Sequence, residues 1–208
     1  MKISTLVNFM AEEDIGLGGE FLAYMALRAL PEPWRMLRNL LVPVTTISEM
    51  LHDTEIDLVL LHTSGVYVLE VKEYSGWIFG NPKQKHWTQT LPDGRGGSVK
   101  HSFYNPLWQN YGHVQALKKN LAILGEVPIH SIVVFGDYCE LKTQLSTPNE
   151  PVVHTRELAE TVTRIAAEQG DCLGAHEVQM LYRYLWPLEN PSARRREEQI
   201  KYAKSKMT

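Results

Sequence analysis

The stretch GVYVLEVKEYSGW (65–77) decides how this chain is read. Val66, Tyr67, Val68, Leu69 and Val71 have the apolar density of a buried strand. Glu70 and Lys72 break into it at alternate positions, so both project from one face. Charged side chains are seldom buried unless they are paired or bind a metal. The preceding segment, EIDLVLLHT (55–63), is a second strand with apolar residues on both faces. With Thr63 and Ser64 as a two-residue hairpin loop, His62 faces Gly65 and Asp57 falls opposite Glu70. With Ser64 and Gly65 as the loop, Asp57 faces Lys72 instead. In both registers Asp57, Glu70 and Lys72 share a face with Val59, Leu61, Val66 and Val68.

Around this hairpin the chain alternates between helical and extended patterns. Residues 16–30 read as a helix, with Leu17, Phe21, Tyr24 and Met25 in a stripe and Pro31 as its stop. WRMLRNLLV (34–42) is a strand. GWIFGN and KHWTQTL form an antiparallel pair about Asn81–Lys85, which VKHSF (99–103) extends. The next segment, 105–124, is a helix capped by Asn105, with Pro106 in its first turn. Its buried face is predicted to be Leu107, Tyr111, Val114, Leu117, Leu121 and Leu124. HSIVVFGD (130–137) and EPVVHT (150–155) are strands. Helices follow over 156–169, with Gly170 past its end, and over about 175–186, limited by Pro187. The expected architecture is α/β: a mixed central sheet flanked by helices, with a small β insertion and C-terminal helices. Residues 1–187 make one domain, and 188–208 a charged tail.

The 208 residues carry a net charge of −3, so the chain as a whole is not a basic nucleic-acid binder, although a local basic patch remains compatible. Cys139 and Cys172 stand far apart and form neither a zinc spacing nor a disulfide framework. No apolar run approaches the ~20 residues that span a bilayer. Acidic residues stand where a signal-peptide cleavage site would fall in MKISTLVNFMAEED. A cytoplasmic protein with no membrane partner is expected.

Opposed residues on neighbouring strands place their Cβ atoms about 4.5–5.5 Å apart, where like charges repel. Asp57 and Glu70 on an otherwise apolar face therefore need counter-charge. Lys72 supplies part of it, and a hard divalent cation, Mg²⁺ or Mn²⁺, would supply the rest. Such a cation activates water and neutralises charge on a phosphate, while Lys72 orients the water or stabilises the transition state. The competing reading is a buried ion pair without metal. Lys83, Lys85, Arg95, Lys100 and His101 cluster in the β insertion near Trp77 and Trp87, a pattern that suits phosphates and bases. Its alternative is a solvated hairpin over a tryptophan core. The tail, with Arg194–Arg196, Lys201, Lys204 and Lys206, reads as a solvated helix end in preference to a nucleic-acid arm.

IDLVLLHTSGVYVLEVKEYSGWIFG resembles the core of the nuclease-related domain, NERD, of the PD-(D/E)XK nuclease superfamily. Gly19-Glu20, Glu55-Ile56-Asp57, Glu70-Val71-Lys72, Gly76 with Trp87, and Asn105-Pro106 with Gln109 match the family's motifs in order over roughly 16–124. The resemblance implies a restriction-endonuclease-like α-β-β-β-α-β core and a divalent-metal nuclease acting on DNA. It implies that Asp57, Glu70, the Val71 carbonyl and Glu20 hold the metal, that Lys72 assists the water, and that Gln109 lines the site. His113, one turn beyond Gln109, stands where related proteins carry an aromatic, and is read as a phosphate contact or proton donor, or else as a half-buried histidine satisfied by backbone. The alternative function is a catalytically inactive module that binds nucleic acid or a partner on the same fold. Homo-oligomerisation is left open.

Overall fold

A computed structural model of the chain describes residues 15–44, 52–189 and 191–205. Helix α1 (Ile15–Leu27) precedes three long strands, β1 (Trp34–Val44), β2 (His52–His62) and β3 (Gly65–Lys72). The β insertion follows as β4 (Gly76–Phe79), β5 (His86–Pro92) and β6 (Ser98–Tyr104). Then come α2 (Pro106–Leu121), β7 (Ile129–Phe135), β8 (Cys139–Leu141) and β9 (Val152–His154). Three helices close the described chain: α3 (Leu158–Gln169), α4 (Ala175–Glu189) and α5 (Ala193–Ser205).

The hairpin forms in the first of the two expected registers: His62 pairs with Gly65, Val59 with Val68, and Leu58 with Leu69. Gly65 makes this turn possible, because at its φ of 131° a Cβ would sit 2.6 Å from the Pro128 carbonyl oxygen. The main sheet has the order β1-β2-β3-β7-β9. Its first three strands are antiparallel, while β7 and β9 run parallel to β3. One face, with Val59, Leu61, Val66 and Val68, packs on Ala116, Leu117 and Leu121 of α2 and on Val178, Leu181 and Leu185 of α4. The other, with Leu58, Leu60, Tyr67 and Leu69, packs on Ala23 and Leu27 of α1 and on Leu158 and Val162 of α3. The two-sided apolar strands are thus covered on both faces, as a mixed α/β sheet requires. The insertion forms its own sheet, ordered β6-β5-β4-β8, against a third cluster built on Ile78, Trp87, Leu107 and Phe135.

Several elements depart from expectation. The buried face of α2 keeps Leu107, Leu117 and Leu121 but otherwise consists of Pro106, Asn110, His113 and Ala116, while Tyr111 and Leu124 are exposed. The helix turns polar groups inward because the strands below offer them partners. The Asn110 amide donates to the Val68 carbonyl and to Ser131 Oγ, both at 2.9 Å. Asn110→Ala removes this clamp between α2, β3 and β7 and is expected to cost about 2–3 kcal/mol, read as a lower urea midpoint at unchanged slope. Helix α4 runs through Pro187 to Glu189. Pro187 deprives only the exposed Arg183 carbonyl of its helical donor, and water can replace it. The short strand β8 was not expected; it pairs parallel with β4. The tail is docked rather than solvated at Arg195, whose guanidinium holds Asp53 through two bonds of 2.6 and 2.8 Å and the Leu41 carbonyl at 2.9 Å. Among the described residues no helix is long and apolar enough to cross a membrane.

Candidate active site

The regular pairing of β2 fails on both sides of Asp57. Towards β3 the ladder stops at Leu58–Leu69, one step before Asp57 would meet Glu70. There the Val71 N–H donates to Asp57 Oδ2 at 2.7 Å instead of to a strand carbonyl. The N–H and carbonyl of one strand residue point to the same side, so the Val71 carbonyl also faces β2. Towards β1 the ladder passes from Arg38–Leu58 to Leu40–Ile56, and Asn39 between them has a left-handed φ of 51°. Asparagine is one of the few side chains that tolerate this conformation. The Asn39 amide hydrogen-bonds Glu20, bringing α1 to the rim of the same site.

Glu70 is 1% exposed, and both of its oxygens meet protein groups. Oε1 lies 2.5 Å from Lys72 Nζ, and Oε2 lies 3.0 Å from His113 Nε2. An ionised carboxylate only accepts, so Nε2 carries the shared proton. The other ring nitrogen, Nδ1, is 2.8 Å from Thr54 Oγ1. Lys72 Nζ also donates to Gln109 Oε1 at 3.3 Å.

These contacts divide the two carboxylates electrostatically. Burial acts to raise Glu70, but the His113 hydrogen bond and the Lys72 charge outweigh it and hold the carboxyl below its ordinary range. Burial acts to lower Lys72, but the Glu70 charge and hydrogen bond hold it above its ordinary value. At Asp57 burial first, and the Glu70 charge second, outweigh the Val71 hydrogen bond and the Lys72 charge and push it up from 3.8 to about 8. Glu20 is raised by burial and then by Glu55, and Glu55 by burial, against the opposing charge of Arg196. The site therefore holds one acid kept ionised by its neighbours, Glu70, and one, Asp57, that burial and the Glu70 charge keep protonated up to about pH 8.

The structure brings together Asp57, Glu70, Lys72, Val71 and Gln109, and sets Glu20 at the edge. His113, 5% exposed, lies against Glu70 with both ring nitrogens on protein partners. Lys83, Lys85, Arg95 and Lys100 are exposed on the insertion, and none has an ion pair among the described residues. Of the two tryptophans read with them, Trp87 is buried, while Trp77 is exposed with Lys142 Nζ 5.1 Å above its ring. Among the described residues no three His, Cys, Asp or Glu side chains are gathered closely enough to hold a metal. Sequence reasoning missed Glu55, Asn39 and Thr54. Glu55 was within reach, since it stands two residues before Asp57 on the same strand. Asn39 and Thr54 carry no local signal.

The family model of the nuclease-related domain matches residues 15–136, more than half of the chain. An uncharacterized protein of Bacillus anthracis is 32% identical over 169 residues, which cover 80% of this chain and 73% of that protein. The matched span runs from α1 through β7 and contains every residue gathered at the site: Glu20, Asp57, Glu70, Val71, Lys72, Gln109 and His113. The chain belongs to the nuclease-related domain family.

Proposed function

We propose that the chain is a divalent-metal-dependent nuclease that hydrolyses DNA phosphodiester bonds. The observation that supports this best is Asp57, set among Glu70, Val71 and Lys72 at a break in two strand ladders, where the Lys72 charge offsets only part of what burial and Glu70 oppose. Once Asp57 gives up its proton, two carboxylates and one lysine leave a net negative charge, and such a donor set fits a hard cation. Asp57, Glu70 and the Val71 carbonyl would hold Mg²⁺ or Mn²⁺, with Glu20 reaching it from the rim through a bound water. When bound, the cation supplies an activated water and counter-charge for the phosphate.

The remaining work falls to the chain's own groups. Lys72 presents an ammonium that Glu70 keeps protonated and Gln109 keeps in place, where charge develops on the phosphoryl oxygens. His113 fixes the orientation of Glu70. Lys83, Lys85, Arg95 and Lys100 offer unpaired positive charge for the phosphate backbone. The cytoplasmic placement expected from the sequence goes with a DNA substrate.

In Mg²⁺ or Mn²⁺ the wild type is expected to cut labelled single- or double-stranded DNA. Asp57→Ala and Lys72→Ala should each lower the rate about 100-fold or more. Equal cutting by all three proteins, or none by any under either metal, overturns the proposal. One observation favours a second reading, a binding module without turnover: the charge of Glu70 is already opposed by Lys72, and its Oε2 is bonded by His113, without a cation. That reading expects DNA binding with strong salt dependence, no cleavage, and no heat on titration with Mn²⁺.

A further inference from the structure

Tyr104, Trp108 and Tyr111 are 43%, 41% and 58% exposed, and they stand together. With Pro82, Lys83 and Leu107 they line an open cleft of about 610 Å³ between the insertion and the first turns of α2. Large apolar side chains gathered at one exposed place mark an interaction site more often than chance exposure. Here the rings are also held. Tyr104 and Trp108 meet edge to face, with centroids 6.3 Å apart. The Trp108 indole N–H donates to the Pro82 carbonyl at 3.0 Å, and the Asn105 amide donates to the same carbonyl. The cleft is therefore formed before anything enters it, and little ordering cost remains for a ligand.

The charge around the rings is selective. The exposed Lys83 has no carboxylate within ion-pair distance among the described residues. Glu150, which also lines the cleft, takes a hydrogen bond from Thr147 Oγ1 at 3.1 Å. Flat π-faces beside a free ammonium match an unstacked nucleobase with its phosphate. A closed duplex keeps its bases stacked on one another and offers no face to these rings. Trp108 is followed directly by Gln109, which bonds Lys72. The cleft and the candidate active site thus flank the first turns of one helix, about 10–12 Å across.

We propose that this cleft is a base-binding subsite and that the nucleic acid handled by the chain is single-stranded or locally opened. The relevance to catalysis rests on the nuclease reading, but binding can be measured without it. The full-length protein in EDTA is titrated into a fluorescently labelled thymidine oligonucleotide, an abasic strand of equal length and a hairpin duplex. The wild type should bind the thymidine strand about ten-fold or more tightly than the abasic one. Tyr111→Ala and Trp108→Ala should each lose about ten-fold on the thymidine strand, with duplex binding changed less than two-fold. Tyr111→Phe, which keeps the ring, should bind as wild type.

Thermal melts confirm that each variant is folded, and Tyr111→Ala, at the most exposed ring, is the variant least able to disturb packing. Equal affinity for thymidine and abasic strands, no binding by the wild type, or an unchanged Tyr111→Ala overturns the subsite. A ligand-free protein whose self-association falls with Tyr111→Ala would identify the cleft as a contact between copies, and also overturns it. Failure of metal-dependent cleavage with these affinities intact would sink the nuclease reading and leave the subsite standing.

Discussion

Asp57→Asn is expected to stabilise the metal-free protein by about 2–4 kcal/mol at pH 8 while abolishing cleavage. Asparagine keeps an oxygen for the Val71 N–H and removes the charge that burial and Glu70 oppose. In the folded wild type the carboxyl titrates near 8 against 3.8 for the free group. Between those values the folded state holds a proton that the unfolded chain has lost, so stability falls as pH rises, by about 1.4 kcal/mol per unit for a full proton. Below 3.8 both states are protonated and the effect vanishes. Four units set a ceiling of about 6 kcal/mol, and water at the half-open site screens part of it. Glu70 has the opposite sign: its folded value is depressed, so its contribution is present above 4.5 and is lost on acidification. Urea midpoints in EDTA across pH 5–8 should therefore show a gap between wild type and variant that widens with pH. Mn²⁺ should stabilise the wild type more at pH 8 than at pH 6, because it displaces the proton from Asp57, and should leave the variant nearly unmoved. A gap that does not change with pH would mean that Asp57 carries no uncompensated charge, and the case for a cation at this place would go with it.

The triad of Asp57, Glu70 and Lys72 could be read from the sequence because strand alternation is arithmetic and a two-residue turn allows few registers. The layered α/β fold followed from the same strands, whose two apolar faces demand cover on both sides. The polar face of α2 was not legible. Helical periodicity ranks residues by hydropathy, and it placed Tyr111 inward and gave no reason to bury Asn110. Asn110 is buried because Val68 and Ser131, 42 and 21 residues away, present an acceptor carbonyl and hydroxyl beneath it. His113 is the same case: its partners, Thr54 and Glu70, come from two strands. Asn39 matters only because β2 loses regular pairing at Asp57, a tertiary distortion with no local signature. The tail shows the limit for charge patterns. Arg194–Arg196 looks like any basic helix end, yet Arg195 docks on Asp53, 142 residues earlier. Composition gives the number of charges, not their partners.

Glu70→Ala is expected to act in the reverse direction from Asp57→Asn and to destabilise the metal-free fold by about 3–5 kcal/mol. Glu70 is the counter-charge of Lys72 and the hydrogen-bond acceptor of His113, both largely inside the protein. Its removal leaves the Lys72 ammonium, with only 20% of its side chain exposed, beside an apolar gap, and takes the acceptor from His113 Nε2. Relief of repulsion with Asp57 does not offset this, because Asp57 is largely protonated at neutral pH and the repulsion is already small. The two acids of one site thus separate by the sign of their effect on stability, although both should be needed to hold a cation. Glu70→Ala combined with Lys72→Met removes the stranded charge and should recover much of the lost stability. It remains folded enough for calorimetry, and it should show no heat with Mn²⁺ where the wild type does. Full Mn²⁺ heat in the double variant would exclude Glu70 as a metal ligand. A single variant as stable as wild type would show that Lys72 needs no carboxylate, and that the 2.5 Å contact is not what keeps it charged. The combination predicted here, a fold that depends on Glu70 and tolerates or prefers the loss of Asp57, is hard to produce from a purely structural ion-pair cluster, in which each acid would be retained for stability. It follows directly if Asp57 is kept at a cost in stability for the sake of a ligand.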